Sequence, residues 1–239
     1  MKIALLYHYF HPDDVISARL FSELGVGLRR AGWEVGAFPC NRGCRDESRV
    51  YPSRETWEGV DIRRVWRPPL RQASALGRLL NGAWMLQAWT RLANRPERDR
   101  PDVVLLGSDP AWSVLVAPAL KRRRPAMRVA MWCHDLYPDG FRAAGVPTPA
   151  WLDARMARAY RACDLVVDMG SCMRERLDVM GAPGPGATVP PWALSEGGAD
   201  GRDAGAPVRE ALFGDCRLAL LYSGNFGRAH SAVSVLELL

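Results

Sequence analysis

The sequence is poor in the side chains from which metal centres are built. It has four histidines and six cysteines in 239 residues. The cysteines (40, 44, 133, 163, 172 and 216) are scattered, and Cys40-x3-Cys44, the one close pair, has no histidine near it in sequence. Ordinary reduced thiols are therefore expected, and no metal site. Long apolar runs are also missing. No segment reaches the roughly 18 uninterrupted apolar residues of a membrane span, since the best candidate, 103–120, is broken by Ser108, Asp109 and Pro110. The opening Met1-Lys2-Ile3-Ala4-Leu5-Leu6-Tyr7 is too short for a signal h-region and has no cleavage site, so it reads as a first strand and a cytoplasmic location is expected. There is no internal repeat. Gly25-x-Gly27 lacks a third glycine and falls inside a predicted helix, so it fails the context of a dinucleotide-binding turn.

What is present is an alternation of short and long apolar segments. Strands are predicted near 2–7, 34–38, 62–66, 103–107, 128–132 and 165–169. They are continuously apolar, as parallel strands covered on both faces should be. Helices are predicted near 15–31, 73–93, 111–123, 150–162 and 171–180. This order argues an α/β fold, a doubly wound parallel Rossmann-like sheet with right-handed crossovers. From 181 to 207 the composition turns to Gly, Ala, Pro and Asp, the mark of a linker. The apolar pattern resumes at 218–222. The expected division is a first domain over 1–180, a connecting strand and linker over 181–216, and the opening of a second α/β domain over 217–239, truncated where the chain ends.

Charge is unevenly spread. Of the net +6, residues 63–100 hold nine arginines against Glu97 and Asp99, a local excess of +7 that leaves the rest at −1. Within this stretch 73–95 carries Leu76, Leu79, Leu80, Trp84 and Leu86 between arginines 71, 78, 91 and 95. Such a helix suits an anionic membrane surface. It suits equally well a core-facing helix with a solvated arginine face, and periodicity does not separate the two. No recognition motif accompanies the charge, so nucleic acid is not an expected partner.

In doubly wound sheets, ligands bind outside the carboxyl ends of the strands. The loops there hold His8 through Asp14, Ser108-Asp109-Pro110, Cys133-His134-Asp135-Leu136-Tyr137-Pro138-Asp139 and Gly170-Ser171, with three of the four histidines among them. A polar cleft follows. His134-Asp135 reads as a ligand-facing pair or as a loop hydrogen-bond pair. Asp14 and Ser171 stand where helix caps belong, and Asp109 before Pro110 reads as a turn. Farther on, Gly224-Asn225-Phe226-Gly227-Arg228 follows a strand and opens a helix. Its glycines, helix amides and Arg228 suit a diphosphate.

These residues resemble a known family. Tyr9-Phe10-His11-Pro12-Asp13, then Ser17-Ala18-Arg19 and a helix running into Gly32-Trp33-Glu34-Val35, are similar to the opening of family-4 glycosyltransferases of the capsule and colanic-acid type. His134-Asp135-Leu136-Tyr137-Pro138-Asp139 resembles their HDLYPD loop. Val189-Pro190-Pro191-Trp192 resembles their interdomain segment, with Pro191 in place of the usual Asn, and Tyr222 through His230 resembles the opening of their donor domain. The resemblance implies a GT-B enzyme of two Rossmann-like domains, acting with retention, without metal or other cofactor. The donor would be a nucleotide-diphosphate sugar and the acceptor a saccharide, lipid-linked through polyprenyl diphosphate, in surface polysaccharide assembly at the inner face of the plasma membrane. His134 and Asp135 would be catalytic. Asp13, Asp14, Arg19, Tyr137, Asp139 and Ser171 would bound the acceptor, and Gly224, Asn225, Gly227 and Arg228 the donor diphosphate. The family's Glu-x7-Glu donor signature does not occur before residue 239, and His230 stands roughly where a basic residue is usual, so this chain alone is expected to be inactive. The rival expectation is a non-catalytic acceptor-binding module, or half of a split enzyme that needs a partner donor domain.

Overall fold

The computed structural model describes residues 1–96, 99–182, 184, 186–192, 194, 205–219, 233 and 236–237. The chain divides into two compact units, Met1–Trp192 and Ala193–Leu239. The first holds eight strands: β1 Lys2–Leu6, β2 Glu34–Ala37, β3 Arg54–Trp57, β4 Val60–Arg63, β5 Val103–Gly107, β6 Arg128–Trp132, β7 Leu165–Asp168 and β8 Gly186–Thr188. They form one sheet in the order β3-β4-β2-β1-β5-β6-β7-β8. Every neighbouring pair is parallel except β3 with β4. The unit's helices are α1 Ile16–Arg30, α2 Ala75–Thr90, α3 Val116–Arg123, α4 Asp139–Ala143, α5 Trp151–Tyr160 and α6 Ser171–Val179. In the second unit, α7 Gly205–Phe213 lies within the stretch read as linker.

All six anticipated strands are present, and the fold is the expected α/β Rossmann-like one. Burial on both faces explains why: Val104, Leu105 and Leu106 of β5 are each less than a tenth exposed. Ala4 and Leu6 of β1 join a cluster with Met85 and Trp89 of α2, Leu120 of α3 and Tyr160 of α5. On the opposite face Leu5 meets α1, where Gly25 leaves room for Leu5 and Phe10 to approach the helix backbone. The indole of Trp89 donates to Phe38 O at 2.8 Å and ties α2 to the end of β2.

Several elements differ from the sequence reading, and the helices α4 and α7 were not anticipated at all. The predicted helix 111–123 begins only at Val116, because Trp112 takes a left-handed backbone (φ 72°) and a 3-10 turn, Ser113–Leu115, intervenes. The edge strand β3 was not anticipated. It returns to β4 through Glu58-Gly59, both with positive φ (47° and 80°), the twist that a two-residue hairpin requires. β8 falls in the stretch read as linker and pairs with β7.

Candidate functional site

The strand order reverses between β1 and β5. The chain runs from β1 to β2 on one side, then returns to place β5 on the other. The loops following β1, β5 and β6 meet at this switch point and are stitched together there. His8 N donates to Asp109 O at 3.0 Å. The Ser108 hydroxyl accepts from the backbone amides of His134 and Asp135, each at 3.1 Å. Each loop contains one cis peptide before proline: His11-Pro12, Asp109-Pro110 and Tyr137-Pro138.

Under the crevice lies an ion pair. His8, 2 % exposed, places Nδ1 3.2 Å from Asp109 Oδ1. Burial opposes charge on the imidazole, but the Asp109 carboxylate and Cys40 outweigh it and lift the pKa to about 10. Imidazolium donates from both nitrogens. Beyond Nε2 stands the Gln72 amide, whose Nε2 is 3.3 Å from His8 Nε2 and 3.3 Å from the Tyr9 hydroxyl. Gln72 Oε1 is buried without a partner. Turning this amide over lets Oε1 accept from both His8 and Tyr9.

Above this pair His134 is held in the opposite state. Its ring is 4.4 Å from Trp132, 5.8 Å from Phe21 and 6.3 Å from Tyr7, centroid to centroid. Burial alone pushes its pKa down to about 4, so the imidazole is neutral. Both ring nitrogens, and Nε1 of Trp132, are buried without a hydrogen-bond partner. Leaving such groups unpaired costs about 1–3 kcal/mol each. They can be satisfied by a ligand's hydroxyls, and the surrounding rings offer faces to its C–H edges. Trp192 stacks on Trp132 at 5.6 Å, and its indole donates to Glu23 at 2.8 Å. Gly107 makes this packing possible, because a Cβ there would strike the rings of Tyr7 and Phe21.

Asp135 is exposed at the rim. Partial burial of its carboxyl and the nearby Asp109 raise its pKa. Tyr137, raised to about 12 by burial and then by Asp135 and Asp109, packs 5.8 Å from Trp112 and 4.8 Å from Phe141. The other residues expected at the acceptor lie elsewhere. Asp13 accepts from Cys44 N at 2.8 Å and the Tyr51 hydroxyl at 3.3 Å. Asp14 pairs with Arg45 at 2.7 Å. Both line a cleft of about 360 Å³ with Arg49 and Tyr51. The cap reading of Asp14 does not hold, since Val15 is the α1 cap residue and makes no side-chain bond. Nor does that of Ser171, which is the first residue of α6 behind Gly170 and is exposed. Arg19 lies in the first turn of α1. Asp139 is held by Arg142 and Arg176. Gly224, Asn225, Gly227 and Arg228 lie outside the described residues.

The residues that sequence reasoning missed are Asp109, read as a turn, and the aromatic walls Phe21, Trp132 and Trp112. The one available signal was Trp112 beside an Asp-Pro turn at a strand's carboxyl end.

Residues 17–192 match the family described as "Glycosyl transferase 4-like domain". The chain belongs to this family. The matched span contains Asp109, His134, Asp135 and Trp192, while His8 and the rest of the β1 loop precede it. No curated protein matches the sequence. Among solved structures, a sucrose-phosphate synthase from Thermosynechococcus elongatus is similar in fold. Its TM-score is 0.54 at 17 % identity, over 80 % of this chain and 48 % of that one. The chain thus spans about half the length of that protein, and at this identity the likeness is one of fold.

Proposed function

We propose that this domain is the acceptor-holding half of a retaining glycosyltransferase that moves a hexose from a nucleotide-diphosphate sugar to a saccharide acceptor. The observation that carries the reading is the neutral, unpartnered His134 imidazole in its aromatic box. In this proposal His134 hydrogen-bonds a hydroxyl of the transferred sugar. Asp135, its basicity raised by burial, receives the acceptor's proton, and Tyr137 borders the acceptor. Asp13, Asp14, Arg19, Asp139 and Ser171 are proposed farther along the acceptor's course. Gly224, Asn225, Gly227 and Arg228 would neutralise the leaving diphosphate, in chemistry that rests on positioning and needs no metal.

The outer face of α2 supports a membrane-borne acceptor. Leu76, Leu79, Leu80 and Trp84 are 66, 57, 46 and 45 % exposed, and Trp66 joins them against Trp84 at 5.3 Å. A contiguous apolar surface of this kind marks an interaction site. The exposed Arg71, Arg78 and Arg91 around it suit anionic lipid. Among the described residues no helix is long and apolar enough to cross a membrane. A polyprenyl-linked acceptor in surface polysaccharide assembly is the substrate we propose on this ground.

The test is release of nucleoside diphosphate from a panel of nucleotide sugars with a saccharide acceptor, comparing the wild type with His134→Ala and Asp135→Asn. Turnover lost in both variants supports the assignment; turnover unchanged in His134→Ala overturns it. The second reading is a binding module completed by a partner donor domain. Acceptor binding by calorimetry without turnover would select that reading.

A further inference from the structure

Away from the crevice, the first unit gathers positive charge that packing does not require. The β3–β4 hairpin sets Arg54 directly opposite Arg63, and like charges facing across a strand pair destabilise it. Arg95, just past the 3-10 turn Arg91–Asn94, comes to the same place. Its guanidinium carbon stands 4.8 Å over the Phe38 ring. Burial, followed by Arg63 and Arg54, lowers its pKa, while Asp99 and Asp61 pull the other way without restoring it.

The three arginines and Arg64 line a cavity of about 250 Å³, walled also by Phe38, Ser53 and Trp89. No carboxylate lines it. The acids nearby are already engaged: Glu55 holds Arg64 at 2.6 Å, and Asp61 holds Arg63 Nε at 2.6 Å. The guanidiniums of Arg54 and Arg95 form no hydrogen bond or ion pair among the described residues. The guanidiniums of Arg54 and Arg95 therefore face one small cavity, with Asp61 and Asp99 on the neighbouring side of Arg95.

Its volume is below the ~300–1,000 Å³ of pockets that hold drug-sized ligands, which suits a compact anion rather than a nucleoside. Guanidiniums facing one cavity suit an anion of more than one charge, and their forks grip tetrahedral oxyanions through paired N–H···O bonds. We propose that Arg54, Arg63 and Arg95 form a binding site for a phosphoryl anion between the β3–β4 hairpin and the end of α2. The phosphoryl group has two sources. It belongs to a soluble phosphate or phosphorylated metabolite, or to a lipid headgroup at the surface on which α2 rests.

Thermal unfolding of the full chain in rising inorganic phosphate, at constant ionic strength set with chloride, tests the site. The wild-type melting temperature should rise saturably at millimolar phosphate. Arg54→Gln/Arg95→Gln should bind phosphate at least about tenfold more weakly, a difference of about 1.4 kcal/mol. In chloride alone this variant should melt close to the wild type, because relief of the Arg54–Arg63 repulsion offsets the loss of the Arg95–Phe38 contact. That result separates a lost site from a lost fold. A wild type that does not respond, or a double variant that responds equally, overturns the proposal. Given the phosphate response, sedimentation with phosphatidylglycerol-containing vesicles assigns the source. Weaker vesicle binding by the double variant makes it the headgroup, and equal binding makes it a soluble phosphate.

Discussion

Replacing Asp109 with Asn tests the electrostatics of the switch point most directly. The substitution keeps the shape of the side chain and removes the charge that holds His8 protonated. The lift from 6.5 to about 10 sets a ceiling of about 5 kcal/mol at 1.36 kcal/mol per unit. The Asp109 side chain is 37 % exposed, so solvent screens part of this, and a loss of about 2 kcal/mol near pH 7 is expected. A group with a raised folded-state pKa contributes fully below its unfolded value and loses that contribution as pH rises through the folded value. Wild-type stability should therefore decline between about pH 6.5 and 10. In Asp109→Asn only Cys40 still opposes burial at His8, so the ring should lose most of its charge at pH 7 and this decline should shrink sharply. Urea unfolding of both proteins across that pH window, with NMR titration of the His8 ring, gives the two profiles. A wild-type profile without the decline, or a variant that loses the same amount at pH 7 and pH 10.5, would refute the buried ion pair.

Three further outcomes are expected. The His134 ring should titrate near pH 4 by NMR, and stability should fall as pH drops from 6.5 toward 4, because in that window the unfolded chain's imidazole binds a proton that the desolvated ring of the folded state refuses; a midpoint near 6.5 would contradict its burial. Gly107→Ala should cost about 1–3 kcal/mol in urea unfolding, because the new methyl would lie 2.6 Å from Phe21 Cζ; an unchanged stability would mean that the aromatic floor yields. Leu79→Glu/Trp84→Glu should abolish sedimentation with anionic vesicles while leaving stability within about 0.5 kcal/mol per site; a collapse in melting temperature would make that face part of the core.

What the sequence disclosed follows burial. β1, β2, β5, β6 and β7 are covered on both faces, so each leaves a continuous apolar run. Arg54-Glu55-Thr56-Trp57 is an edge strand with alternating exposure, paired on one side only, and its polarity hid it. Gly186-Ala187-Thr188 has almost no apolar side chain. It is a strand because β7 offers an open edge and because the Thr188 hydroxyl donates to buried Asp168 at 2.8 Å. On α2 the leucines were plain, but which face would be buried was not. Gly77, Asn81 and Gly82 are the buried residues with Met85 and Trp89. Close approach of Pro110 to Gly82 selects small side chains and turns the leucines outward. The crevice loops could be found from the carboxyl-end rule. The His8–Asp109 pair could not, since its members stand 101 residues apart and only the strand order brings them together.

The two crevice histidines come from neighbouring loops and end in opposite states. Asp109 holds His8 charged up to about pH 10, while apolar rings keep His134 neutral down to about pH 4. Neither changes protonation across the neutral range, whereas an efficient proton-transfer catalyst has a pKa near the working pH. Neither histidine is therefore tuned as an acid or base. Their fixed states serve polarity: a permanent cation beneath the crevice and a neutral donor–acceptor ring within it. In the crevice it is Asp135 whose pKa is displaced upward toward neutrality, by burial and by Asp109. On the proposed reading, such a site aligns hydroxyls and stabilises developing charge, leaving one carboxylate to receive a proton. That is the division of labour expected when transfer depends on positioning. A rate profile with one acid limb that disappears in Asp135→Asn, and no limb from either histidine across neutral pH, is the kinetic signature of that proposal.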